Sequence, residues 1–302
     1  MACPQLEMRL DRFITLRVAR PLLKLRRPTA PRLPILMYHS ISADPEHGRS
    51  AYYKVCTSPQ RFSEQMSWLA ENGYAGVTLG AGLAWLNSAQ SGDGRKLVAI
   101  TFDDGFRDFY TEAFPTLQQH RFLATMYLPT AFIAEEPRSF LSRDCMSWNE
   151  AAQLHSAGIE FGSHTVTHPK LIEMDWPQIE RELVDSKAVI EKRLGASVKA
   201  FAYPYAFPQA RKEFVLRFLQ TLERTGYQSC VTTEVGRERA GANLLSLKRL
   251  PMNDADDATL LRAKMEGAYD WLAVPQAGVK AARQALRPVR GQTHSSVTAS
   301  AF

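Results

Sequence analysis

Residues 97–108 read Leu97-Val98-Ala99-Ile100-Thr101-Phe102-Asp103-Asp104-Gly105-Phe106-Arg107-Asp108. An apolar run of this length, closed by Gly, reads as a buried strand. It ends on two adjacent carboxylates. A buried carboxylate costs several kcal/mol unless it is paired or bound to a metal. In parallel α/β folds the chemistry sits at the carboxyl ends of strands. The stretch therefore suggests one aspartate that binds a metal and one that moves a proton. The same letters also spell a solvated Asp-Asp-Gly turn, and the stretch alone does not separate the two.

On either side, strand and helix patterns alternate. Ile35 to His39 reads as a short strand ending on a histidine. Ser58 is a cap, Pro59 a first helical residue, and Phe62, Met66 and Leu69 repeat at helical spacing before Gly73 stops the helix. A strand at 74–79 and a helix at 80–88 precede the Asp-Asp stretch. A helix at 106–120, a strand at 122–128 and a long loop at 129–146 follow it. Ser147-Trp148-Asn149-Glu150 spells a capping box for a helix over 147–157. Strand 159–162 runs into Ser163-His164-Thr165-Val166-Thr167-His168-Pro169. A helix from Asp175 to Leu194, a strand at 200–204, a helix at 208–225, strands at 227–231 and 244–250 and a helix at 256–270 complete the pattern. About seven or eight such alternations argue for a parallel sheet with crossover helices. No GxGxxG or P-loop is present, which favours a closed α/β barrel over a dinucleotide-binding sheet.

Composition is that of a globular chain: 302 residues, 45% hydrophobic and 23% charged. The net charge of +6 sits at the ends, +6 over residues 1–32 and +4 over 279–302, which leaves −4 for residues 33–278. A nucleic-acid enzyme should carry a basic core face, so that partner is discounted. Cys3, Cys56, Cys145 and Cys230 lack zinc or redox spacing and read as free thiols. Arg9, Arg12, Arg17 and Arg20 interrupt every apolar run near the start, so a secretory signal is not expected. The expected location is cytoplasmic, with residues 1–32 either a basic amphipathic helix on an anionic inner membrane leaflet or a disordered arm. Residues 33–271 are expected to form the catalytic barrel and 272–302 a disordered basic tail.

The unusual polar residues all fall at predicted strand ends. They are His39, Asp103 with Asp104, His164 with His168, Tyr203-Pro204-Tyr205, and Arg249. One carboxylate with two neutral imidazoles suits a divalent metal with open positions for water and substrate. Four residues apart, His164 and His168 can reach one ion from a helical turn or a tight loop. Alone they are as readily core or surface histidines.

Thr101–Gly105, Ser163–Pro169 and Phe201–Tyr205, with the flanking LPILMYHSI, FSEQMSWLAENGY and WNEAAQLHSAGIEFG, resemble the polysaccharide deacetylase superfamily, carbohydrate esterase family four. The likeness spans residues 33–250 and extends toward 271. It implies a distorted (β/α) barrel of about seven strands, a single catalytic domain, and hydrolysis of an N-acetyl, less often O-acetyl, group on a sugar. The substrate class is an acetylated polysaccharide, oligosaccharide or lipid-linked saccharide. Carried onto this chain, Asp103 is the general base and Asp104, His164 and His168 hold one divalent ion, zinc by ligand type, with cobalt, nickel or iron also fitting. The Tyr205 N–H donates to the oxyanion, with Pro204 fixing its turn.

Three departures bear on the site. The family's late Leu-x-His acid is missing, and His294 lies in the basic tail. Leu36-Met37-Tyr38-His39 near the start of the chain has a similar pattern, as in exopolysaccharide deacetylases with a permuted first strand, and nominates His39 as the acid. Ala202-Tyr203-Pro204 replaces Arg-x-Pro, and Arg249 is the candidate substitute for the missing arginine. Ala206 stands where Gly is common. Tyr203, Pro204 and Trp148 are nominated for substrate contact. Trp148 and Trp271 read equally as core, and Tyr52 and Tyr53 are weaker nominations.

Overall fold

The computed structural model describes residues 9–24, 30–47, 53–88, 94–136, 138–273 and 275. Eight parallel strands form the centre: β1 Ile35–Tyr38, β2 Tyr74–Val77, β3 Lys96–Phe102, β4 Thr125–Leu128, β5 Glu160–Ser163, β6 Ala200–Ala202, β7 Ser229–Val235 and β8 Leu247–Pro251. Seven of them close a barrel in the order β3-β4-β5-β6-β7-β8-β1 and back to β3. β2 pairs with the first half of β3, Tyr74 opposite Lys96 to Val77 opposite Ala99, while β4 takes Thr101 and Phe102 on the same edge. β2 is thus a wedge at the base, and the barrel is distorted there.

The barrel strands other than β2 are largely buried on both faces, which is why they read as near-continuous apolar runs. In β3 every residue from Val98 to Phe102 is buried. Val98, Ile100 and Phe102 pack into the layer beneath the helices. The alternate set, Ile35, Ala99, Tyr127, Ala200, Ala202, Val231 and Leu247, packs together with Leu79, Leu83, Trp85 and Leu86 of the helix Leu79–Leu86. Tyr127 needs small neighbours. A Cβ on Gly162 would stand 2.5 Å from its ring and 2.8 Å from the Ala200 carbonyl oxygen.

Local signals fix the helices that support the rim. Ser58 caps helix Pro59–Glu71 by accepting from the Arg61 N–H. Ser147 and Glu150 form a capping box on helix Trp148–Ser156. Asp175 and Gln178 do the same for helix Trp176–Leu194, which Gly195 ends in the left-handed region. The single helix expected over 106–120 is instead a π-helical turn, Phe109–Ala113, leading into Phe114–Gln119. Pro115 explains it: proline has no N–H to give and its ring crowds the carbonyl four residues earlier. The N-terminal arm repeats the device, with a π turn Thr15–Ala19 before Arg20–Lys24, which contains Pro21.

The loop expected over 129–146 carries a 3-10 turn, Thr130–Phe132, and a small hairpin of Ser139–Phe140 with Arg143–Asp144. Helix 208–225 begins later, at Lys212. Cys56, Cys145 and Cys230 are buried free thiols. Disorder in the tail from 276 on, and the nominations of Tyr52 and His294, concern residues outside those described.

Candidate active site

Strand register builds the site. Tyr38 lies opposite Phe102, and the Asp103 N–H donates to the Tyr38 carbonyl at 3.0 Å, so the next residues of the two strands, His39 and Asp103, are neighbours. Ser163 lies opposite both Leu128 and Phe201, which sends His164 out beside Ala202.

Asp103 is 2% exposed and is gripped by Arg249 of β8, itself 1% exposed. Arg249 Nη1 and Nη2 donate to the two Asp103 oxygens, each at 2.7 Å. Its Nε donates to the Thr232 carbonyl at 3.0 Å, and Nη1 also reaches Thr101 Oγ1 at 3.3 Å. Burial pushes the Asp103 carboxyl up, but the charge and hydrogen bonds of Arg249 outweigh it and hold the group well below the usual carboxylate range. His39 Nε2 lies 3.9 Å from Asp103 Oδ2, and 19% of the His39 side chain stays open. Desolvation, opposed by Asp103, lowers its imidazole to about 4, so it is neutral at pH 7.

Asp104 turns the other way. Its φ is +74° and that of Gly105 is +64°. This left-handed pair reverses the chain at the strand end and separates the two carboxylates. Asp104 Oδ1 lies 3.6 Å from His164 Nε2 and 3.4 Å from His168 Nε2, and the two Nε2 atoms are 3.1 Å apart. Donor atoms about 2.0–2.1 Å from a tetrahedral ion lie about 3.3–3.4 Å apart, so this triangle has the size of a metal's coordination shell. His164 Nδ1 donates to the Ala202 carbonyl at 2.8 Å, which leaves the Nε2 lone pair for a metal. Asp104 Oδ1 is buried without a hydrogen-bond partner. Burial, then Asp103, raises the Asp104 carboxyl to about 8, and burial, then His164, lowers His168 to about 3. An orphaned carboxylate oxygen facing two neutral imidazoles is what a divalent cation fits.

The two histidines sit on a loop, not a helical turn. Glu182, on helix Trp176–Leu194, holds it from behind. Glu182 Oε2 accepts the Val166 N–H at 2.7 Å and the Thr167 N–H at 2.9 Å, and Oε1 accepts the Thr167 hydroxyl at 2.7 Å. Thr165 Oγ1 accepts the His168 N–H at 2.9 Å. Thr165 has φ +71° and His168 φ +55°, so the loop is strained at both places. Sequence reasoning missed Glu182. Its signal was an acid set among the buried positions Ile179, Leu183, Ser186 and Ile190 of that helix.

Tyr205 also has a positive φ, +57°, and its ring centroid lies 4.6 Å from that of His168. Among the described residues no hydrogen bond takes up its N–H, and its side chain is exposed. Pro204 before it is buried. The side chain of Tyr203 is buried, edge-on to Phe207 and Phe218, so its surroundings are those of a packing residue and not of a sugar contact. Trp148 is buried at its helix start under the Arg193 guanidinium, and Trp271 donates to Thr15 Oγ1 of the arm. Both are packed. Tyr53 is exposed. The hairpin of loop 129–146 lies beside the group of Asp104, His164 and His168, with the Phe140 ring 5.1 Å from that of His168.

Residues 90–229 match the family described as polysaccharide deacetylase. The chain is 28% identical over 235 residues to the putative polysaccharide deacetylase YxkH of Bacillus subtilis, covering 78% of this chain and 76% of that one. It is 27% identical over 157 residues to a poly-beta-1,6-N-acetyl-D-glucosamine N-deacetylase of Staphylococcus aureus, covering 49% of this chain and 53% of that one. It thus spans about half of the latter's length. Among solved structures it resembles the Streptococcus pyogenes deacetylase PplD in complex with acetate, with TM-score 0.65, 29% identity, and 78% of this chain and 99% of that one covered.

Proposed function

We propose that this chain, whose residues 90–229 match the polysaccharide deacetylase family, is a metal-dependent hydrolase that removes N-acetyl groups from the amino sugars of a polysaccharide, oligosaccharide or lipid-linked saccharide. The observation that carries this reading is the division of labour between adjacent carboxylates. Asp103 is tied to Arg249, and Asp104 Oδ1 faces His164 and His168 with no hydrogen-bond partner.

Asp104, His164 and His168 would hold the ion, which when bound supplies Lewis acidity to the acetyl carbonyl and to a water molecule. Asp103 stays ionised at neutral pH because of Arg249, and takes the proton from that water. A carboxylate held this low is a weak base, so it works only on an acidified water. Arg249 also fixes both Asp103 oxygens in place, which removes the rotamer search from the step. The Tyr205 N–H donates to the oxyanion as the carbonyl carbon becomes tetrahedral. The C–N bond then breaks, and the departing amine takes a proton through His39, whose Nε2 lies 3.9 Å from Asp103 Oδ2. Acetate and a free amino sugar leave.

The match to a poly-beta-1,6-N-acetyl-D-glucosamine N-deacetylase supports β-1,6-linked N-acetylglucosamine oligomers as the first substrates to try. The test is amine and acetate release from a panel of acetylated oligosaccharides and lipid-linked sugars. It is run after chelation and after adding back zinc, cobalt, nickel or iron. Equimolar amine and acetate that need the metal support the proposal. Acetate without amine makes the protein an O-acetyl esterase, and no release with any metal makes it a silent relative.

A further inference from the structure

The helical arm Leu10–Lys24 lies along the barrel's last helix, Ala258–Glu266. Its inward side is fastened by charge. Arg12 grips both oxygens of Asp257, at 3.0 and 2.7 Å, and Arg20 reaches Glu266 at 2.9 Å. The Tyr269 hydroxyl donates to Asp11 at 2.7 Å, and Trp271 Nε1 donates to the Thr15 hydroxyl at 3.0 Å. Arg9 pairs with Asp11 at 2.6 Å and stands 4.0 Å from Asp256, which is held at 2.8 Å by the buried Lys264. These contacts fix which side of the arm faces out.

The outward side is apolar. Leu10 is 64% exposed, Phe13 52%, Val18 47% and Leu22 58%, a stripe three helical turns long. Arg17 is exposed within it, whereas Arg9, Arg12 and Arg20 are spent on acids of the barrel and of the arm itself. The sequence then adds Lys24, Arg26 and Arg27 with no acid before residue 32. Because Arg12 pairs at the start of helix Ala258–Glu266 and Arg20 at its end, the two helices run parallel. That helix follows strand β8, so the stripe begins level with the catalytic rim.

We propose that this outward face docks on an anionic lipid surface, apolar side chains entering the acyl boundary and Arg17 meeting the headgroups. A surface of opposite charge is what complements the stripe. A second copy packed stripe to stripe across a two-fold axis would set Arg17, near the middle of the stripe, against itself. The chain's own C-terminal segment is also basic, with Lys280, Arg283, Arg287 and Arg290 and no acid. Among the described residues no helix is long and apolar enough to cross a membrane, so the contact is peripheral.

The test is co-sedimentation of the full chain with vesicles of phosphatidylcholine mixed with phosphatidylglycerol, and with vesicles of phosphatidylcholine alone. Binding should be at least about tenfold tighter to the anionic vesicles and fall as salt rises. Phe13→Ser with Leu22→Ser should weaken it at least about tenfold, with the melting temperature unchanged. Arg17→Glu, at an exposed position, should weaken binding to the anionic vesicles alone. Equal or no binding to the two vesicle types overturns the proposal. So does a dimer in solution that Phe13→Ser with Leu22→Ser dissociates.

Discussion

Arg249 holds both oxygens of Asp103 at 2.7 Å in a pocket that leaves the two residues 1% and 2% exposed. A bidentate pair this deep is a liability if halved. Removing one partner of a buried pair costs about 3–5 kcal/mol, because the other charge stays buried alone. Asp103→Asn and Arg249→Met should therefore each lose about that much stability in denaturant unfolding at pH 7, along with turnover. Replacing both, Asp103→Leu with Arg249→Met, should recover most of the stability and none of the turnover. If the double variant is no more stable than either single one, the pair is not acting as a unit. Acid gives a second reading. The folded pKa of Asp103 is depressed, so its stability is present above about 4 and is lost as pH falls through the folded value. Arg249→Met should flatten that loss.

Asp104 carries the opposite sign. In metal-free protein its carboxyl is raised to about 8, so its contribution is full below the unfolded value of 3.8 and is lost as pH rises through 8. His39, His164 and His168 are lowered from 6.5, so their contribution is full above 6.5 and is lost as pH falls. Across pH 6.5 to 8 the unfolded-state histidines finish titrating, which returns part of the stability that Asp104 loses. In chelated protein Asp104 should take away up to about 2 kcal/mol across that interval, read as the difference between the native chain and Asp104→Asn. Added metal should stabilise the native protein most at the alkaline end, because the ligands bind it deprotonated. Melting curves at several pH values, with and without chelator, check this. A chelated profile that Asp104→Asn leaves unchanged removes the buried-carboxylate account.

Glu182 touches neither histidine, yet it accepts three hydrogen bonds from the loop between them. Partners of this outer kind typically change metal affinity by about 10–100-fold when removed. Glu182→Ala should weaken metal binding by that factor while the metal-free protein still folds, and Glu182→Gln should recover part of the loss. Metal titration of the chelated protein decides. Unchanged affinity in Glu182→Ala would leave Glu182 with a packing role alone.

Strand ends and histidine spacing were legible because burial leaves a periodic trace. The run Val98–Phe102 marks a strand closed in on both faces, and the capping boxes at Ser147 and Asp175 mark helix starts. The grouping of Asp103, Asp104, His164 and His168 followed from placing each at a strand end. Other features depend on tertiary partners that sequence spacing does not encode. Tyr203 follows β6 as a rim residue would, yet its ring turns into the aromatic layer with Phe207 and Phe218. Glu182 looks like any helix acid until the Val166 and Thr167 N–H groups above it are seen to donate to it. The π turns before Pro21 and Pro115 come from a steric conflict that apolar periodicity does not report.

His39 offers a way to test proton donation apart from metal binding. Its Nε2 is 3.9 Å from Asp103 Oδ2, and it is not one of the residues around Asp104 Oδ1. A departing sugar amine must be protonated, whereas a nitrophenolate leaves unaided. General acid catalysis contributes about 10²–10⁴-fold, so His39→Ala should lose about that factor in kcat on an acetylated amino sugar. It should lose little on an activated aryl acetate, and its metal affinity should be unchanged. Equal losses on both substrates would mean that His39 acts earlier, by orienting Asp103 or the attacking water. No loss on either would return His39 to being a strand-end residue.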